Sequence, residues 1–183
     1  DKTFARSLTI AERVAILHAA AKALRFLHQH GYVHMDMKPS NLVVSGRTMT
    51  LIDFGVTAPI GPMPRAVAGT AGYLSPEQAV RARLDEGIDI FALGITFAVI
   101  FGGHPLRQTA EGITTPEFRK EAKYNLESVD QPMVTDLPDL EAYPDLAHVI
   151  AQCTIPRRDK RIRNTDMLIN RLEHIAATCG FPL

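Results

Sequence analysis

Apolar positions along this chain recur mostly at helical spacing. Thr9-Ile10-Ala11-Glu12 has the form of a capping box, in which a threonine and a glutamate three residues later satisfy each other's backbone amides. Val14, Leu17, Ala21, Leu24 and Leu27 or His28 follow on one face, and Gly31 supplies the residue that ends such a helix. Two short β-rich runs come next, Leu42-Val43-Val44 and Met49-Thr50-Leu51-Ile52, joined by residues 45–48. They predict a hairpin. Residues 56–68 carry three prolines and one glycine with little periodicity, which predicts a loop longer than ordinary connections. Residues 88–103, IDIFALGITFAVIFGG, are the longest apolar run. A helix apolar on every face belongs in the middle of a domain. Residues 116–126 predict a charged surface helix with proline in its first turn. Residues 130–144, rich in proline and acid, read as a connection, and 146–153 and 166–177 as two closing helices. The pattern predicts a mainly α architecture around residues 88–103, with strands only in the hairpin.

Composition narrows the picture. The chain has 183 residues, enough for one domain with a proper core. Twenty Lys and Arg balance 20 Asp and Glu, so neither a nucleic-acid partner nor a membrane surface is expected. The apolar run is too short for a membrane span and contains Asp89. No secretory leader pattern is visible at the start. Cys153 and Cys179 have no metal-ligand spacing, and they read as buried or half-buried free thiols of a reducing, cytoplasmic compartment.

Candidate chemistry gathers on two short stretches, His34-x-Asp36-x-Lys38-x-x-Asn41 and Asp53-Phe54-Gly55. Asp36 is a candidate proton acceptor, although a lone loop aspartate more often caps a turn. Lys38 is a compact cation suited to a phosphoryl group, or else a solvated surface lysine. Asn41 and Asp53 offer hard oxygens of the kind magnesium takes, and the hairpin between them could bring both to one ion. Each is an ordinary turn residue when taken singly.

The order H-x-D-x-K-x-x-N, hairpin, D-F-G, then Gly69-Thr70-Ala71-Gly72-Tyr73-Leu74-Ser75-Pro76-Glu77, resembles the protein kinase family, specifically eukaryotic-like serine/threonine kinases. The family's glycine-rich loop and V-A-I-K strand are absent ahead of His34, so the resemblance covers the C-terminal lobe across 1–183. It implies a helical lobe around a buried central helix, with the hairpin at a catalytic cleft. It implies Mg2+ and ATP as cofactors, a protein substrate, and an N-terminal lobe in the same or another chain. Asp36 and Lys38 take catalytic roles by that resemblance. Lys38, Asn41, Val43 and Asp53 take ATP-binding roles, with Val43 in the adenine floor or simply in the strand core. Asn41 and Asp53 would hold the metal.

The resemblance further implies that His34 packs beside Phe54 rather than acting as a base. Asp89 would hold the backbone of the catalytic loop. Thr70 would bond Asp36 and Lys38, or serve only as a turn residue. Glu77 would pair with Arg161. One departure stands out. Met35 replaces the family's usual arginine, which receives a phosphate from the activation segment. Thr57 is the only hydroxyl residue in 56–68, so the phosphate switch is missing from both sides. Two other readings remain: a non-catalytic lobe used as a binding or scaffolding module, and a small-molecule phosphotransferase. Lys38 and residues 69–77 argue against the second.

Overall fold

The computed structural model describes residues 5, 7–46, 48–63, 68–109 and 111–183. Arg47 of the hairpin turn and residues 64–67 of the long loop lie outside the described residues. Helix α1, Ile10–Gln29, starts at the expected capping box: Thr9 Oγ1 accepts from the Glu12 amide at 3.2 Å, and Glu12 Oε2 accepts from the Thr9 amide at 2.8 Å. Its buried face carries Val14, Leu17, Ala21 and Leu24, and at the open position His28 is buried while Leu27 is only half-buried. Gly31 follows with φ of 79°.

The expected hairpin is formed by β2, Leu42–Ser45, and β3, Thr48–Leu51, with Leu42 opposite Leu51 and Val43 opposite Thr50. It is not the only ladder. Strand β1, Tyr32–Val33, pairs antiparallel with β4, Ala58–Pro59, inside the segment expected to be loop. Two residues are too few for alternation to show in the sequence. A short helix α2, Pro76–Val80, was also not foreseen, although Ser75 and Gln78 form a second capping box.

Helix α3, Gly87–Ile100, is the buried helix, with every residue from Ile88 to Val99 out of solvent. It ends ahead of residue 103 because Gly102 turns the chain at φ of 92°. Helix α4, Pro116–Ser128, lies on the surface with only Ala122 buried. Helices α5, Pro144–Cys153, and α6, Thr165–Cys179, follow. The main core joins Leu17 and Leu24 of α1 to Phe91 and Phe97 of α3, Leu146 of α5 and Leu172 of α6. Between α3 and α5 the approach is close. A Cβ on Gly94 would stand 2.6 Å from Cys153 Cβ, a distance that excludes any side chain there. Cys153 is fully buried and its thiol pKa is pushed up to about 12 by burial, whereas Cys179 is exposed rather than half-buried as expected. Both thiols are free. No described helix is long and apolar enough to cross a membrane.

One polar joint ties the first half of the chain to the last. The buried Arg161 guanidinium donates to Glu77 through two nitrogens, at 2.7 and 3.2 Å. Its remaining hydrogens go to the carbonyls of Ile155, Gly87 and Pro156, each at 2.7 Å. The plane also covers the Phe91 ring, 4.9 Å from its centroid. All five donors of the fork are used. Truncating Arg161 leaves the buried Glu77 with only the longer Arg158 contact, at 3.7 Å, and truncating Glu77 leaves the buried guanidinium without its counter-ion. Arg161→Ala is therefore expected to destabilise the fold by about 2–4 kcal/mol. Denaturant melts read the loss, and an unchanged midpoint would mean that the pair contributes nothing.

Candidate active site

The first loop of the site is shaped from below, by the buried carboxylate of Asp89 on α3. Asp89 Oδ2 accepts from the His34 amide at 2.7 Å, and Oδ1 from the Met35 amide at 2.8 Å. These two bonds hold Met35 in the left-handed region, with φ of 69°. A β-unbranched side chain tolerates that conformation at a cost of about 1–2 kcal/mol. The same carboxylate takes a third contact, 2.8 Å from His28 Nε2 of α1. The role of His28 was not legible beforehand. Its only trace was a polar residue at a position where the α1 face is otherwise apolar.

His34 is fully buried, and its ring joins the two halves of the site. Nδ1 accepts from the Asp36 amide at 3.3 Å while Nε2 donates to the Ile52 carbonyl at 3.1 Å. Its edge meets the Phe54 ring, with centroids 5.2 Å apart. Both nitrogens are occupied by backbone, which suits a spacer and not a base.

Asp36 points into a compact polar group. Lys38 Nζ donates to Asp36 Oδ2 at 2.7 Å and to Thr70 Oγ1 at 2.9 Å. The Thr70 hydroxyl in turn donates to Asp36 Oδ1 at 2.6 Å. Asn41, brought close by the 3-10 turn Pro39–Asn41, donates to the Asp36 carbonyl at 2.8 Å and lies 3.5 Å from Oδ2. Burial is the largest single influence on Asp36 and opposes ionisation. The hydrogen bonds from Lys38 and Thr70, the charge of Lys38 and the Asn41 contact together outweigh it, so the pKa lies below the ordinary 3.8. The carboxylate is ionised at neutral pH with a cation beside it.

Asp53 lies at the far end of the hairpin. The Ile52 amide donates to the Asn41 carbonyl at 3.0 Å, so the backbone ties the two loops together just before Asp53. Asp53 is exposed and left-handed, with φ of 65°. Asn41 spends its amide nitrogen on Asp36, which leaves its Oδ1 as the acceptor. That donor set, one amide oxygen and one carboxylate, fits magnesium, which draws few ligands from protein and the rest from phosphates and water. Among the described residues no three His, Cys, Asp or Glu side chains gather into a metal cluster. Val43, Ile52, Phe54 and Val56, on the hairpin and just after it, are 45, 38, 51 and 37% exposed. Val43 is thus outside the buried core. Of the residues picked out by sequence, Asp36, Lys38, Asn41 and Thr70 meet directly, and Asp53 and Val43 flank them.

Sequence comparison now adds to this geometry. A model of the protein kinase domain matches residues 3–172. The chain belongs to the protein kinase family. Serine/threonine-protein kinase PknB of Mycolicibacterium smegmatis is 37% identical to this kinase chain over 99 residues, 50% of this chain and 16% of that protein. Serine/threonine-protein kinase AfsK of Streptomyces coelicolor is 30% identical over 161 residues, 85% of this chain and 18% of that protein. An Aurora kinase of Eremothecium gossypii is 32% identical over 114 residues, 60% of this chain and 30% of that protein. The kinase chain matches under a third of the length of each relative. The bacterial relatives carry serine/threonine names, in agreement with what Lys38 implies.

The depressed pKa of Asp36 has a sign that stability can report. A carboxylate whose folded pKa lies below its unfolded value stabilises the fold above the unfolded value. That contribution is lost as pH falls through the folded value. Asp36→Asn removes it at every pH. The melting deficit of the variant is therefore expected to be largest near neutrality and to close as pH falls below 3.8. Thermal melts of both proteins between about pH 7 and about pH 3 check this. A deficit that stays constant would show that the Lys38 and Thr70 contacts do not favour the ionised form.

Proposed function

We propose that residues 1–183 are the C-terminal, catalytic lobe of a Mg-ATP-dependent serine/threonine protein kinase. The observation that carries the reading is the Asp36 carboxylate with one oxygen on Lys38 and Thr70 each, beside Asn41. Phosphoryl transfer requires little covalent help from the protein; it requires positioning and charge compensation. Asp36 orients the acceptor hydroxyl and receives its proton. Lys38 leans toward the transferring group and offsets its charge. Asn41 and Asp53 would hold the metal, which when bound neutralises charge on the nucleotide phosphates. Thr70 keeps Asp36 and Lys38 in register. The acceptor is a serine or threonine of a protein.

The apolar rim of Val43, Ile52, Phe54 and Val56 supports a second lobe closing over this edge, in the same polypeptide or another. Val43 would then form part of the adenine floor. A purely scaffolding lobe has no use for an ionised carboxylate braced between a lysine and a threonine. Hence in the complete kinase Asp36→Asn is expected to lower kcat by about 10²-fold or more while nucleotide affinity stays nearly unchanged. Asp53→Ala is expected instead to lose metal-dependent nucleotide binding. Initial rates with a protein acceptor, beside calorimetry with ATP and magnesium, separate the two. Retention of most of the rate by Asp36→Asn would remove the proton-acceptor role.

Control by phosphate on the activation segment does not suit this site. Met35 is buried among Val33, Ala58, Leu84 and Ile88, at the position where the family's arginine would grip a phosphate. Among the described residues the buried Thr57 hydroxyl has no hydrogen-bond partner. Full activity is expected to survive phosphatase treatment of the complete kinase. A large loss of rate that mass spectrometry traced to a phosphate within residues 56–75 would overturn this.

A further inference from the structure

The activation segment needs a fixed course even with no phosphate to pin it. Its first part is held by backbone. Beyond the β1–β4 ladder, the Ile60 amide donates to the Gly31 carbonyl at 2.8 Å. Gly61 and Leu84 exchange two further bonds, at 2.8 and 3.1 Å. Met35, Val33, Ala58, Leu84 and Ile88 fill the space beneath, with Ile60, Met63 and Ala68 at the margin.

In the later part Gln108 accepts from the Gly72 amide at 2.9 Å and donates to the Leu74 carbonyl at 3.3 Å, and a second glutamine ties the segment to the catalytic loop. Gln78 of α2 is 1% exposed, and its amide is fully used. Nε2 donates to the Met35 carbonyl at 2.9 Å and to the Ala68 carbonyl at 3.0 Å. Oε1 accepts from the Ser75 amide at 3.1 Å. A single amide group thus joins the catalytic loop, the end of the activation segment and the turn that opens α2. The joint is tight. Gly69 passes at φ of 123°, and a Cβ there would stand 3.0 Å from the Met35 carbonyl and 3.1 Å from Gln78 Nε2.

The consequence lies one and two residues further on. Met35 precedes Asp36, and Ala68 lies two residues before Thr70. The peptide groups flanking the 2.6 Å contact between Thr70 and Asp36 are therefore bracketed by the same amide. Asp89 fixes Met35 by its N–H and Gln78 fixes it by its carbonyl. We propose that Gln78 is a positioning residue. Its neutral amide sets the register between the catalytic loop and the activation segment, the task a phosphate held by arginine performs by charge.

The chemistry is specific to an amide. Two carbonyl oxygens face Nε2 and both need donors, while the Ser75 amide needs an acceptor. Glutamate has the same shape but presents oxygen to two carbonyls. Methionine has similar length and offers neither donor nor acceptor.

This inference rests on the kinase reading for its rate arm only. In the complete kinase, Gln78→Glu and Gln78→Met are expected to lower kcat by about 10- to 100-fold, because small displacements of reacting groups are costly. KM for ATP is expected to stay within about twofold, since no nucleotide contact is touched. Hydrogen exchange is read on the same proteins. Amides of residues 33–41 and 68–75 are expected to exchange faster together, by about tenfold or more, while α1 and α6 stay protected. Unchanged kcat in a folded variant would overturn the proposal. So would faster exchange confined to 68–75, because the catalytic loop would then be independent of Gln78. Loss of folding in both variants would also overturn it, by making Gln78 a support of the whole lobe. If the wild-type protein transfers no phosphate, the kinase reading fails, and the exchange result still decides whether Gln78 couples the two loops.

Discussion

A carboxylate with no access to water, that of Asp89, holds this site in shape. An acid so placed is costly unless hydrogen-bond partners surround it. Here the donors are the backbone amides of His34 and Met35, joined by the ring of His28. The exchange is mutual. The loop amides satisfy the acid, and the acid holds the loop in a turn that a non-glycine residue would otherwise avoid. Because Asp89 lies on the most buried helix, the loop inherits the rigidity of the core. Asp36 then follows a backbone tied directly to that helix.

The cleft separates its physics by side. Its inner wall is polar and complete, with Asp36, Lys38, Asn41 and Thr70 satisfying one another. Its outer edge is apolar and open, with Val43, Ile52, Phe54 and Val56 in solvent. A polar cluster can be finished within one lobe, because hydrogen bonds close locally. An apolar edge cannot, because it is stabilised only when another surface removes it from water. In the proposed reading the two sides have different tasks, chemistry for the polar wall and enclosure for the surface that would cover the apolar edge.

Much of this was legible in the sequence, for physical reasons. Helix α1 announced itself by Thr9 and Glu12, and α3 by an apolar run with nothing to face solvent. The meeting of Asp36, Lys38, Asn41 and Thr70 followed from motif order, since the spacing from residue 34 to residue 77 carries the loop geometry with it. The Glu77–Arg161 pair came the same way. What stayed hidden depended on contacts between distant segments. The β1–β4 ladder is too short to leave a period. His28 and Gln78 look like incidental polar residues until the Asp89 carboxylate and the Met35 carbonyl are seen opposite them. A buried polar side chain is defined by its partner, and one strand of sequence does not show the partner.

The close approach of α3 and α5 at Gly94 leaves a built-in reporter. Cys153 is sealed there, its thiol held protonated by burial, while Cys179 stands in water at the end of α6. In the folded chain a thiol-alkylating reagent meets only one of the two cysteines. The second becomes reactive only when the central helix and its neighbour part. The rate at which a second label is taken up is therefore a clock for the opening of the core, and it needs no engineered probe.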